Sequence, residues 1–427
     1  MILLATLSLL GVAAGGPVQD TLRLETLTAA ARDRDPRGRQ LELLESQTAL
    51  RLRNLRAERL PRLTVSGEAT AQSDITHITL DGSPIQPPMP PKEQWLTSVQ
   101  ADQLLYDGGA IEARRAVERA RLAESRESVR TAQYRLRDEV NAAFFTAFLF
   151  QERDAELAAV ADDLEGRLTV VRVRVREGAA LPADTAALAA ERLRIRQFRD
   201  DARSSREAAL AVLARLTDRE IPTAAVLVLP DLASAVAAAG TRDSVHERPE
   251  FAQFSRTRDR LASEASALDA ERRPRLMAFG AGGYGNPGLN QFSPTADPFW
   301  RAGVRFEWRP WNWGSTARQK EVLTLQREVV ETEQAAFARG LDRAVQHDLA
   351  TMRRLEAAIT SDSSIILLEE QVERRARVQL DEGVITAADY IQARTEVLRA
   401  RLAAQRHRVE LAQAHARYLT TLGIDAR

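Results

Sequence analysis

The chain contains much of itself twice, and a duplicated sequence restricts the fold to one assembled from two like units. Ala57-Glu58-Arg59-Leu60-Pro61-Arg62-Leu63 returns as Ala270-Glu271-Arg272-Arg273-Pro274-Arg275-Leu276, identical at six of seven positions, and Pro36 returns as Pro249, all at an offset of 213. Further along, Trp95 matches Trp300, Gly109 matches Gly314, Glu177-Gly178 matches Glu382-Gly383 and Asp184 matches Asp389, at an offset of 205. Glu191, Leu193, Arg194 and Arg196 match Glu396, Leu398, Arg399 and Arg401 at the same offset. The offset changes by 213 − 205 = 8 residues between Pro61 and Trp95, which marks an exposed loop where length is tolerated.

Each repeat opens with a helical approach and then changes period. Leu63 to Gln72 alternates strictly, with Leu63, Val65, Gly67, Ala69 and Ala71 on one face. Trp300, Ala302, Val304, Phe306 and Trp308 alternate with Arg301, Gly303, Arg305, Glu307 and Arg309. In Trp95 to Tyr106, Trp95, Thr97, Val99, Ala101 and Leu105 share a face against Ser98, Gln100 and Asp102. Leu276 to Tyr284 is ambiguous, because Met277 and Phe279 fall opposite Leu276. Strands of about ten residues with one apolar face and tryptophan near the ends suit a transmembrane barrel with a polar lumen. The alternative is a soluble half-buried sheet. Ser73 to Gln94 and Gly285 to Phe299 carry turn chemistry, so the strands pair as hairpins over 61–106 and 274–310. Four strands cannot close a barrel, and lipid tolerates no open edge, so several chains must pool them.

A glycine, Gly109 or Gly314, then leads into a long helical stretch. Ala110 to Arg176 and Ser315 to Asp381 each have 67 residues, no proline and one glycine. Run as single helices they would span roughly 100 Å at 1.5 Å per residue. Small and apolar residues at three-to-four spacing (Val140, Ala143, Phe144, Ala147, Phe148) predict coiled-coil-like packing. Both helices stop at a Gly-x5-Asp turn, Gly178 to Asp184 and Gly383 to Asp389. Return helices over about 185–216 and 390–422 complete hairpins spanning 110–216 and 315–422. The domain plan is thus a first repeat over 17–216, a linker over 217–247 and a second repeat over 248–427. Half-length returns predict a midway belt in which linker and chain ends collect.

Composition narrows the function. Sixty basic and sixty acidic residues cancel, which leaves no footprint for nucleic acid. There is no cysteine, so disulfides, thiolate metal sites and a lipidated N-terminal cysteine are excluded. Met1 to Ala14 is apolar and ends in small residues, reading as a secretory signal over 1–16 without the usual basic start. No other run reaches the roughly 18 apolar residues of a membrane helix. The five histidines, His77, His246, His347, His407 and His415, form no ligand spacing, and Gly280, Gly282 and Gly283 are followed by no Lys-Ser/Thr. Neither an enzyme nor a cofactor is indicated.

Taken in order, these features resemble the outer-membrane factor, or TolC-like efflux, family. The likeness rests on Asp35-Pro36 and Arg248-Pro249-Glu250 at helix starts, and on Leu60-Pro61-Arg62-Leu63 and Arg273-Pro274-Arg275-Leu276 at strand starts. It rests equally on Asp107-Gly108-Gly109 and Asn312-Trp313-Gly314 after the second strands, and on the paired Gly-x5-Asp tips. The resemblance implies a mainly α fold with a membrane β-barrel: a homotrimer whose four strands per protomer make a twelve-stranded barrel, continued by a long antiparallel α-helical barrel in the periplasm. It implies an outer-membrane exit duct of a tripartite efflux pump or type I secretion system. The partners implied are a periplasmic adaptor (membrane fusion) protein, outer-membrane lipid and, indirectly, an inner-membrane RND, ABC or MFS transporter. On this reading Gly178, Asp184, Gly383 and Asp389 are adaptor-docking tips, Gly109 and Gly314 are barrel-to-helix junctions, and Trp95, Trp300, Val304, Phe306 and Trp308 face the membrane. The tip residues have a plainer role open to them, with the glycines as conformational caps and the aspartates as helix caps. The absent cysteine departs from the lipidated branch of the family. A periplasmic coiled-coil adaptor or structural spacer of an export complex is the competing class, but it would not need strands bracketed by tryptophan.

Overall fold

The computed structural model describes residues 21–75, 89–239, 248–290, 293 and 295–424, so the signal segment, much of the first hairpin loop, His77 and His246 lie outside the described residues. In chain order the elements are β1 (Thr21–Leu22), α1 (Leu24–Asp33), α2 (Arg37–Ala57), β2 (Arg62–Ala71), β3 (Glu93–Tyr106), α3 (Ala110–Tyr134), α4 (Leu136–Arg176) and α5 (Pro182–Thr217). They continue as β4 (Val226–Leu227), α6 (Ala233–Ala239), α7 (Pro249–Glu271), β5 (Arg275–Asn286), β6 (Asp297–Glu307), α8 (Ser315–Asp381) and α9 (Ala387–Leu422). Among the described residues, no helix is long and apolar enough to cross a membrane.

The chain divides into two compact units that cut across the sequence repeats. One, drawn from Arg39–Arg130 and Glu250–Ala336, holds both hairpins and the helical segments flanking them. Its four strands form a single antiparallel sheet in the order β2-β3-β5-β6, so the two hairpins pair through β3 and β5. The flanking helices are tied by ion pairs between elements: Arg121 with Glu264 at 3.1 Å, Arg260 with Glu124 at 2.6 Å and Lys320 with Asp269 at 2.8 Å.

The other unit, drawn from Met1–Gly38, Thr131–Pro249 and Phe337–Arg427, contains both helix tips. Along α4, Leu157, Val160, Leu164, Leu168 and Val171 are buried at three-to-four spacing against Leu188 and Ile195 of α5 and Tyr390 and Leu398 of α9. Fully burying a leucine or isoleucine of this kind contributes about 1.5–3 kcal/mol. A second core gathers Val140, Phe144, Phe145 and Phe148 of α4, Leu213 of α5, Leu419 and Leu422 of α9, and Leu27 of α1. The linker is not bare chain there: β4 pairs in parallel with β1, and Gln151 brackets the main chain of Leu227, donating to its carbonyl and accepting from its N–H, each at 3.0 Å.

The two outbound helices differ. Ser315 to Asp381 is continuous as α8, but the first is broken at Arg135, between α3 and α4. No proline or glycine stands there, so the cause is tertiary. The Tyr134 hydroxyl donates to the Thr420 carbonyl at 2.5 Å, and the Arg137 and Arg248 guanidinium groups lie 4.8 and 5.0 Å from its ring. The return helices begin slightly earlier than the sequence predicts, at Pro182 and Ala387.

Candidate functional site

Pairing registers settle which strand residues share a face. In β6 and β5, Trp300 lies opposite Gly282, Ala302 opposite Gly280, Val304 opposite Ala278 and Phe306 opposite Leu276. The same face continues through Val99 and Ala101 of β3 to Val65 and Leu63 of β2. Its large members stand open: Val304 is 62% exposed, and Leu63, Val65, Phe306 and Trp300 are at least as exposed. The opposite face carries Arg62, Glu68, Asp102, Arg301 and Arg305.

The ambiguous strand is resolved by these pairings. Phe279 sits on the charged face across from Gly303, where an added β-carbon would lie 2.9 Å from its ring, and the Arg305 guanidinium is 5.3 Å from its centre. A bulge at Leu105 makes Tyr106, not Leu105, the partner of Leu276. β6 starts at Asp297 and ends at Glu307, so Trp308 lies one residue beyond it, half exposed, its indole N–H donating to the Arg272 carbonyl at 3.2 Å.

At the strand-to-helix junctions both glycines take the left-handed conformation, Gly109 at φ +86° and Gly314 at φ +73°. The Asp107 carboxylate accepts from the N–H groups of Gly109 (2.9 Å) and Ile111 (2.7 Å), capping α3. Burial works to raise its pKa, but these N–H donors and Arg59 outweigh it and hold the pKa below the ordinary value.

The two tips share one backbone solution. Ala179 N–H donates to Arg174 O at 2.7 Å and Gly178 N–H to Val175 O at 3.1 Å, with Val384 to Gln379 and Gly383 to Leu380 repeating the pattern at 2.8 and 3.1 Å. These are Schellman closures, with Gly178 and Gly383 both at φ +75°. The aspartates, matched in sequence, differ in use. Asp184 is 9% exposed, accepts from Leu181 N–H at 3.2 Å and also from Ala387 N–H at 2.8 Å, so it caps its own helix and the first turn of α9. Asp389 is exposed and bonds only within its own capping box with Thr386. Hydrogen bonds from the Thr386 side chain and N–H lower the Asp389 pKa, so this cap is intact above the ordinary carboxylate pKa and lost as pH falls through the lowered one.

Removing an N-cap costs about 0.5–2 kcal/mol. Asp184→Ala is therefore expected to speed amide hydrogen exchange at both tips, and Asp389→Ala at the start of α9 alone. Confinement of the Asp184→Ala effect to α5 would show that its bond to Ala387 carries no weight.

Behind the tips, Tyr390 of α9 is fully buried, its hydroxyl 3.2 Å from both Asp163 of α4 and Glu373 of α8. The Arg167 guanidinium lies 4.4 Å from its ring centre, and Arg394 is 3.6 Å from Asp163. Burial above all, with the two carboxylates adding to it, pushes the phenol far above its ordinary pKa, so it remains a proton donor linking the two hairpins. Sequence reading missed this cluster, since nothing local marks Tyr390 apart from its position one residue after Asp389.

A one-faced antiparallel sheet whose apolar side is bare, joined to paired long helical hairpins, defines a channel-type fold. No protein-family model and no curated protein matches the sequence. Solved structures do match it. CusC, described in terms of transmembrane channel formation, shares 14% identity over 94% of this chain and 92% of its own, with a TM-score of 0.71. The outer membrane protein VceC of Vibrio cholerae shares 13% over 95% and 97%, with a TM-score of 0.67. The MtrE outer membrane channel of Neisseria gonorrhoeae shares 19% over 94% and 89%, with a TM-score of 0.65. The fold of this chain is that of the TolC-like outer-membrane channels.

Proposed function

We propose that the chain is one protomer of a homotrimeric outer-membrane exit duct that passively conducts cargo delivered by an export pump. One observation carries the reading: a four-stranded sheet with an exposed apolar face and a charged opposite face, ending at β2 and β6 with no partner strand among the described residues. Such a sheet is stable in a membrane only when further copies close it, and three copies supply twelve strands. The coiled-coil spacer leaves that apolar face unexplained. The helical hairpins lie in the periplasm on this reading, and their tips dock a periplasmic adaptor of a tripartite efflux pump or type I secretion system. The groove between the tips, lined by Gly178, Leu181, Gly383 and Ile385, offers the seat. The RND, ABC or MFS transporter at the inner membrane selects the cargo.

The full chain is expected in outer-membrane fractions, released only by detergent, as a trimer whose gel mobility falls to that of the monomer on heating. Recovery as a soluble periplasmic protein would instead favour the spacer.

A further inference from the structure

All five tryptophans of the chain lie in or beside the sheet, none in the helical hairpins. Trp95 and Trp300 lie toward one end, and Trp308, Trp311 and Trp313 follow the last residue of β6 at the other. Eight residues separate Trp300 from Trp308, about 26 Å along an extended strand and close to the roughly 25 Å apolar band of a barrel. Trp311 and Trp313 are 73% and 81% exposed, their rings packed edge to face with centroids 6.0 Å apart.

Trp313 is also conformationally out of place. Its φ is +54°, in the left-handed region that a β-carbon disfavours. At the same place in the first repeat stands Gly108, at φ +67°, where a β-carbon would lie 2.4 Å from that of Arg273. A backbone that glycine serves without strain in one repeat thus bears the largest side chain in the other, held outward instead of into a core. The turn does not need the indole for closure: Ser315 N–H donates to Asn312 O at 3.0 Å and Asn312 Nδ2 to Thr316 Oγ1 at 2.5 Å. Backbone strain retained without a folding role points to a binding role.

We propose that Trp311 and Trp313 form a foot that seats among glycerophospholipid headgroups in the leaflet on the helical side of the sheet, fixing the depth of the barrel. This deepens the outer-membrane reading and rests on it. Lipid is the occupant, and not a second copy, for two reasons. A second copy engages the sheet through the main chain of its edge strands, whereas the foot begins after Glu307, the last residue of β6 to pair with β5. The foot also continues the bare apolar series Trp300, Val304, Phe306 and Trp308, and an indole, apolar in body with one N–H, suits headgroup depth.

The test uses the full chain reconstituted in vesicles of phosphatidylethanolamine and phosphatidylglycerol carrying bromine near the headgroup or deep in the acyl chain. One variant, W95F/W300F/W308F, keeps only the foot; another, W95F/W308F/W311F/W313F, keeps only Trp300. Emission from the foot is expected to be quenched about twofold more by shallow than by deep bromines, as for an interfacial indole. Blue-shifted but unquenched emission would assign the foot to a second copy, and unshifted, unquenched emission to water. Either overturns the proposal, as does deeper quenching. Trp300 separates the two readings: if bilayer bromines fail to quench it, the outer-membrane reading falls together with the foot. If it is quenched and the foot is not, only the foot fails. Should the multiple variants not assemble, Trp313→Gly decides. Relieved of strain, it is expected to keep its trimer at least as heat-resistant in detergent, while losing the shallow-quenched share of emission that the wild type shows. Unchanged quenching would overturn the proposal.

Discussion

Val304→Arg is expected to abolish the trimer in outer-membrane fractions, while Arg305→Ala leaves it intact. Val304 lies four residues from both Trp300 and Trp308, which places it near the middle of the apolar band, where a lipid-facing arginine costs the most. At roughly 2–4 kcal/mol per midplane charge, three copies in a closed barrel sum to about 6–12 kcal/mol, comparable to the whole stability of a typical domain. Arg305 is on the other face, and its loss removes a contact with the Phe279 ring of about 0.5–1 kcal/mol. Quantifying the heat-modifiable trimer in membrane fractions compares the two directly. Equal yields would mean that the faces are assigned the wrong way round or that the sheet is not in lipid.

The second large effect is expected at the tips. Gly178 and Gly383 have nothing within 4 Å of a built β-carbon, so the penalty for substituting them comes from backbone conformation alone. At φ +75° that penalty is about 1–2 kcal/mol per residue for an ordinary side chain, and larger for a β-branched one. The double variant Gly178→Val/Gly383→Val should reach the outer membrane as a trimer, yet fail to support export or to crosslink to its adaptor. Gly166→Ala is the matched control, because that glycine is helical and equally uncrowded. It should be neutral or slightly stabilising, by about 0.5–1 kcal/mol. Normal export by the double variant would remove the docking role, and loss of its trimer would leave those glycines a role in folding alone.

Much of this architecture is legible in the sequence because its signals are local. Alternation in Leu63 to Gln72 and Trp300 to Arg309 reports two different environments on a strand's two faces, whatever the strand pairs with. Gly178 and Gly383 announce left-handed caps, since reversing a helix makes the same demand in both repeats. The run from Ser315 to Asp381 lacks any residue that would end it, and it forms one helix.

What the tertiary structure alone decided depends on partners far away in the chain. The phase of β5 stayed ambiguous until its pairing with β6 put Phe279 over Gly303. The break at Arg135 follows from Tyr134 reaching Thr420, a separation of 286 residues, and no local rule predicts it. Asp184 and Asp389 read as equivalent in sequence, yet one carboxylate reaches the Ala387 N–H, 203 residues on, and the other stays exposed. Trp313 and Gly108 likewise occupy matched left-handed positions, and only the neighbouring Arg273 shows why the first repeat requires glycine. Periodicity and turn chemistry are properties of adjacent residues and survive in a sequence, whereas the use of a side chain depends on what the fold brings beside it.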